Sequence, residues 1–218
     1  MRRFGRLLAG ALFTGILLTG CSGRGGFNPS VSCIYVARDG AVSSALVKEY
    51  AGDDVDEKDL RQFLEAAVIR FNQANGAEAL AANKGGGRQL PAALQSVKAE
   101  DGTMKAVFDF ASPRDLIAFG GTDENEDTSN TLTALEVKKV PDAAAAGWLT
   151  AAEFMKEDKS AVSAEEIAKA EKGAVVLVEG GATLVCSGEI LYLTEGAEKK
   201  DAHTVAVPDG GRAFIVFK

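Results

Sequence analysis

Apolar residues recur along this chain in two rhythms. Met104, Ala106, Phe108 and Phe110 alternate with Lys105, Val107 and Asp109, the period of a half-buried strand. Shorter apolar runs at 34–37, 42–47, 94–98, 175–179, 183–186, 190–193, 205–207 and 213–217 read as further strands. Three Asp-Gly pairs, Asp39-Gly40, Asp101-Gly102 and Asp209-Gly210, fall between such runs. Asp-Gly accepts the positive φ angles of a tight hairpin turn, so each pair predicts an antiparallel hairpin. Gly180-Gly181 predicts a fourth, joining 175–179 to 183–186.

The helical rhythm is clearest at Leu60, Phe63, Leu64, Ala67, Val68 and Phe71, which share one face at 3.6 residues per turn. Asp54 with Glu57 has capping-box spacing, and Asn75-Gly76 is a suitable stop. Ser112-Pro113 opens a shorter helix, with proline at its first position. Thr150 with Glu153 and Ser163 with Glu166 repeat the capping spacing, while the polar stretch 120–130 reads as a loop. Strands thus frame the chain at both ends, with helices inserted between antiparallel hairpins. Regular strand–helix–strand alternation is absent, which argues against a doubly wound parallel sheet. The expected fold is a single α+β domain over residues 30–218.

Composition narrows the function classes. The 218 residues are 46% hydrophobic and 25% charged, the proportions of an ordinary globular protein. A net charge of −7 argues against a strongly basic nucleic-acid binder. A single histidine excludes any mechanism or metal site that needs two.

The N-terminus carries an address. Arg2, Arg3 and Arg6 form a basic start, and residues 7–18 form an apolar stretch. At about 1.5 Å per residue that stretch covers roughly 18 Å, short of the ~30 Å bilayer core. It reads as the core of a signal peptide over residues 1–20. Leu18-Thr19-Gly20-Cys21 then resembles the lipobox of bacterial lipoproteins, an aliphatic residue and two small ones before cysteine. The resemblance implies cleavage before Cys21 and a diacylglycerol on its thiol. It also implies an extracytoplasmic location at the cell membrane, with residues 21–29 as the lipidated cysteine and tether. Losing residues 1–20 removes three arginines and no acid, taking the net charge from −7 to −10. So acidic a surface is repelled by anionic headgroups, and the acyl chains must anchor it.

The chain as a whole is similar to a group of uncharacterised lipoproteins from Gram-positive gut clostridia. The likeness rests on Ile34-Tyr35-Val36-Ala37-Arg38-Asp39-Gly40-Ala41-Val42, the acidic stretch and helix after it, Gly188-Glu189-Ile190-Leu191-Tyr192, and Phe214-Ile215-Val216-Phe217-Lys218. This chain departs from the group in being richer in alanine and poorer in tyrosine. The resemblance implies location and fold; no activity attaches to it.

With Cys21 assigned to lipid, Cys33 and Cys186 remain, both in strand-like surroundings. Export permits a disulfide between them, closing a loop worth at most about 5 kcal/mol; the alternative is two separate buried thiols. His203, beside Lys199, Lys200 and Asp201, is expected at the surface and outside any catalytic role. Lys84-Gly85-Gly86-Gly87-Arg88 lacks P-loop spacing and reads as a flexible turn. Asp123, Asn125, Asp127 and Ser129 alternate like calcium ligands, but Thr128 stands at the central glycine position and Ala134 at that of the bidentate acid. The acids at 53–59 suit a helix N-terminus. No metal site, cofactor or catalytic residue is expected.

The reading is a lipid-anchored, non-enzymatic binding or accessory module at the cell surface. Its protein or cell-wall partner is unknown, and no nucleic acid is involved. The alternative is a cell-envelope hydrolase using paired carboxylates. A solute receptor fits less well, since such proteins usually have two α/β lobes and a longer chain.

Overall fold

Residues 27–50, 56–84, 89–121 and 129–218 are described by the structure, a computed structural model. Among them the chain forms β1 (Cys33–Val36), β2 (Val42–Glu49), α1 (Glu57–Ala74), β3 (Ala92–Glu100), β4 (Thr103–Phe110) and α2 (Pro113–Gly120). Next come β5 (Ala134–Lys139), α3 (Val140–Ala145), a 3₁₀ turn (Trp148–Thr150), β6 (Phe154–Met155), β7 (Ala161–Val162) and α4 (Ala164–Ala168). The C-terminal part is all strand: β8 (Ala174–Glu179), β9 (Ala182–Cys186), β10 (Ile190–Thr194), β11 (Glu198–Lys199), β12 (Thr204–Val207) and β13 (Arg212–Phe217). The strands make two sheets, sheet A in the order β11-β12-β9-β1-β2-β4-β3 and sheet B in the order β5-β8-β13-β10-β6-β7. The protein is a single α+β domain, richer in strand than in helix.

The main core lies between the sheets. Ile34, Val36, Leu184, Val205 and Val207 from sheet A meet Val176, Val178, Ile215 and Phe217 from sheet B. Full burial of each such side chain stabilises the fold by about 1.5–3 kcal/mol. Toward the β2–β4–β3 end, sheet A is covered instead by Leu64, Val68 and Phe71 of α1 and Leu116 and Phe119 of α2. The other face of sheet B carries Phe154, Val175, Leu177, Phe214 and Val216 beneath Val140, Leu149 and Ile167. On the outer face of sheet A, Phe27 packs over Cys33, Tyr35, Ala45 and Val107. Phe27 and Pro29 are both buried, so the packed body starts before residue 30 and takes in part of the stretch read as tether.

Antiparallel hairpins form at both Asp39-Gly40 and Asp101-Gly102, but at the first only Gly40 takes a positive φ, 86°. At the second, Asp101 and Gly102 have φ of 51° and 72°, the two positive angles of a type I′ turn. The other two hairpins do not form. β8 lies in sheet B and β9 in sheet A, while β12 lies in sheet A and β13 in sheet B. Gly180-Gly181 and Asp209-Gly210 are therefore corners where the chain changes sheets. A Cβ on Gly180 would stand 2.1 Å from the Thr131 carbonyl oxygen, and one on Gly181 would stand 2.1 Å from Asp209 Oδ1. The glycines there permit backbone crowding at a corner. One pairing departs from the antiparallel scheme: β1 runs parallel to β9.

Helix α1 begins later than the capping pattern implies. Asp56, not Asp54, is the N-cap, accepting from the amides of Lys58 and Asp59 at 2.7 and 3.2 Å. Asn75 and Gly76 end it as expected, Gly76 at φ +70°. The helix also covers the free edge of β3. Arg61 donates to the Val97 carbonyl at 3.1 Å, and the Asn72 amide both donates to and accepts from Ala92 at 2.8 and 3.0 Å. Edge groups left open invite pairing with another chain; here a helix satisfies them. Ser112 caps α2 and Ser163 caps the short α4. No α-helix starts at Thr150, which closes the 3₁₀ turn. Neither β5 nor α3 has a counterpart in the periodicity reading.

Candidate functional site

Several of the candidates named from the sequence fall on residues that the structure does not describe: Cys21 with the whole lipobox, Asp53 and Asp54, Gly85 to Arg88, and Asp123, Asn125 and Asp127. Ala134 opens β5. Among the described residues no cluster of His, Cys, Asp and Glu is arranged to hold a metal ion. No described helix is long and apolar enough to cross a membrane.

Cys33 and Cys186 sit on neighbouring strands, yet they do not meet. Cys186 is opposite Val36, which sets the two cysteines three register positions apart. Three positions span about 10 Å along a strand, beyond the roughly 7 Å limit for a disulfide. The side chains also point to opposite faces, Cys33 toward Phe27 and Tyr35 and Cys186 into the main core. Both are thiols. Burial pushes the Cys186 thiol up to about 12.

His203 is half-buried, not a surface residue as its polar neighbours imply. Its Nδ1 lies 2.9 Å from the Gly188 carbonyl oxygen, and its backbone carbonyl accepts from the Cys186 amide at 2.8 Å. The ring thus ties down the corner between β9 and β10.

The most distinctive concavity is an apolar groove of about 310 Å³ between α1, α2 and the inner face of β2 and β4. Phe119 of α2 anchors its floor. That ring packs 5.3 Å from Phe108, 5.7 Å from Phe110 and edge-on against Phe71 at 5.2 Å. Such aromatic packing holds the floor in a fixed shape. Phe63 stands at the rim, 54% exposed, although the helical stripe marks it as core. Leu64, Ala67 and Phe71 define the centre of the buried face, and Phe63 lies roughly 75° to one side at 100° per residue. Lys48 is the only ionisable side chain described in the lining.

A larger cavity of about 690 Å³ lies beside sheet B, with Glu153, Glu195, Lys159 and Arg212 among its lining. Two carboxylates are thus among its lining, the number the hydrolase alternative requires. Both are exposed, whereas the acid of a glycosidase pair is set in an apolar enclosure. Arg212 is engaged with Glu179 at 3.0 Å and lies over the Phe214 ring. Nearby, the hydrogen bond that the Lys156 ammonium donates to Glu166 raises its pKa above the ordinary value, and Ser160 hydroxyl and amide hydrogen bonds lower that of the Asp158 carboxyl. All of these belong to a solvated surface.

Sequence reasoning missed the groove because its lining comes from four separate elements. The one local signal was an aromatic residue at the margin of an amphipathic stripe. No protein-family model matches this chain, and neither does any curated protein or any solved structure.

Proposed function

We propose that this protein is a lipid-anchored, non-enzymatic binding module at the cell surface, and that the α1–α2 groove receives its partner. The observation that carries the reading is an exposed Phe63 beside a rigid, phenylalanine-lined concavity. A groove of about 310 Å³ has room for one or two large apolar side chains of a protein partner. The segments 51–55 and 122–128, which follow β2 and α2 in the sequence, contain one large apolar residue between them, Val55. An apolar complement of the groove's size must therefore come from outside them. The Cys21 lipid supplies location, and the groove supplies recognition.

The test is a photo-crosslinking amino acid at position 63 in the full-length protein in its own cells. A second variant carries it at Lys172, an exposed residue just beyond α4. The reading expects a discrete adduct from position 63 alone. Equal labelling from both sites, or none from position 63, contradicts it.

A further inference from the structure

The point where the chain enters the folded body limits how the domain can stand on a membrane. That limit rests on the reading of Cys21 as the lipidated residue. Phe27, 7% exposed, is fixed against the outer face of sheet A, its ring 5.4 Å from that of Tyr35. Six residue steps separate Cys21 from Phe27, and a fully extended chain covers about 21 Å over that distance. A domain of this size has a radius of gyration of about 16 Å and hence a diameter of about 40 Å. With Phe27 on the side away from the bilayer, the lipid could not reach it. With Phe27 turned sideways, the chain would be stretched to its limit. Only orientations that bring Phe27 toward the headgroups leave slack.

We infer that the outer face of sheet A, at the segment 27–32, is the surface this protein turns toward the lipid bilayer. Among the described residues that segment is what packs over this face, and it carries Val31, 48% exposed. Lys105 stands on the same face, donating to Asn28 at 2.8 Å, with Lys98 directly opposite it on β3. Glu100 lies 3.8 Å from Lys98, and Asp109 of β4 shares this face and accepts from Ser43, so two acids answer the two lysines and reach, not attraction, sets the orientation. The groove opens on the inner face of β2 and β4, and Trp148 packs 5.6 Å from Phe214 on the outer side of sheet B. Both are then held away from the bilayer, where a partner outside the membrane has access to the groove.

Trp148 is the only tryptophan, so energy transfer can report the orientation. Full-length lipidated protein is reconstituted into phosphatidylcholine–phosphatidylglycerol vesicles containing dansyl-labelled phosphatidylethanolamine. Transfer from native Trp148 is compared with transfer from Val31→Trp in a Trp148→Phe background. The expected result is several-fold greater transfer from position 31. Equal or weaker transfer from position 31 in vesicle-bound protein overturns the orientation and leaves the lipid anchor standing. Failure of the protein to float with vesicles overturns the anchor and the orientation with it. Should Trp148→Phe not fold, the acylation rates of native lysines give the same comparison. Membrane binding should slow Lys98 and Lys105 relative to Lys169 and Lys172, and uniform rates would overturn the inference.

Discussion

Two helical covers lie over the two sheets, and they are built differently. The cover of sheet B is closed: Val140, Ala143, Leu149 and Ile167 are all buried over Phe154, Val175, Leu177, Phe214 and Val216. The cover of sheet A by α1 and α2 is open, with a groove along its aromatic floor and Phe63 at the rim. Both covers set helices on an apolar sheet face, so helix formation does not explain the contrast. An apolar side chain at the margin of a buried stripe either finds a neighbour or is left for one. In the closed cover the margins are filled from within the chain; in the open cover Phe63 is left exposed. That difference makes the open cover the recognition surface in this account.

The largest expected effect is at the joint holding the open cover in place. Asn72 is fully buried, and its side-chain amide bonds the Leu80 and Ala92 carbonyls and the Ala92 amide. Asn72→Ala leaves those backbone groups without their partner, at a cost of about 3–4 kcal/mol. For a domain of this length that is a fall of roughly 10 °C in Tm, readable by thermal unfolding. A loss of only a degree or two would mean that α1 is held by apolar contact alone.

Ile167 tests the closed cover. It is fully buried, so Ile167→Ala should cost about 2–4 kcal/mol through lost contacts and a residual cavity. Urea denaturation would show it as a lower midpoint at unchanged slope. Tolerance of the change would mean that this cover is as loosely packed as the other, and the contrast would disappear.

Cys186 sharpens the account of the main core. A thiol pushed up to about 12 by burial stays protonated in the folded protein at pH 8.5 and should resist alkylation until unfolding. The linkage has a definite sign. The folded value lies above the ordinary one of 9.0, so the contribution is complete below about pH 9 and is lost as pH rises from there toward 12. Mass spectrometry after alkylation of the native and unfolded protein checks the first statement. Rapid native labelling of Cys186 would contradict it.

His203→Ala should cost about 1 kcal/mol, the net worth of one hydrogen bond, since the ring contacts the Gly188 carbonyl oxygen. Thermal unfolding distinguishes this from the negligible change expected of a solvated histidine.

What was legible in the sequence was local. The Asp101-Gly102 turn, the Ser112-Pro113 start of α2 and the apolar stripe of α1 are each written within a few residues, and each appears in the structure. The C-terminal strands were legible as strands but not as partners. Gly180-Gly181 looks like a hairpin turn because glycine serves tight reversal and backbone crowding equally well, and only the distant Thr131 and Asp209 decide which. The parallel pairing of β1 with β9 joins residues about 150 positions apart, and no local pattern encodes it. The groove was hidden for the same reason, its floor being assembled from β4 and α2 and its rim from α1. Phe63 itself was visible, but as an ordinary member of a buried face.

The central claim, that the open cover is a recognition surface, is tested most directly by Phe63→Ser in the full-length protein. Stability and capture are then read on the same sample. A residue 54% exposed contributes little to packing, so Tm should fall by no more than a few degrees. Capture is read by placing the photo-crosslinking amino acid at Lys48 on the groove rim, with Phe63 intact and with Phe63→Ser. The account predicts loss of the discrete adduct in a protein that still folds. Retention of the adduct at full yield, or unfolding of Phe63→Ser by more than about 2 kcal/mol, would contradict it, since Phe63 would then serve the fold or nothing at all.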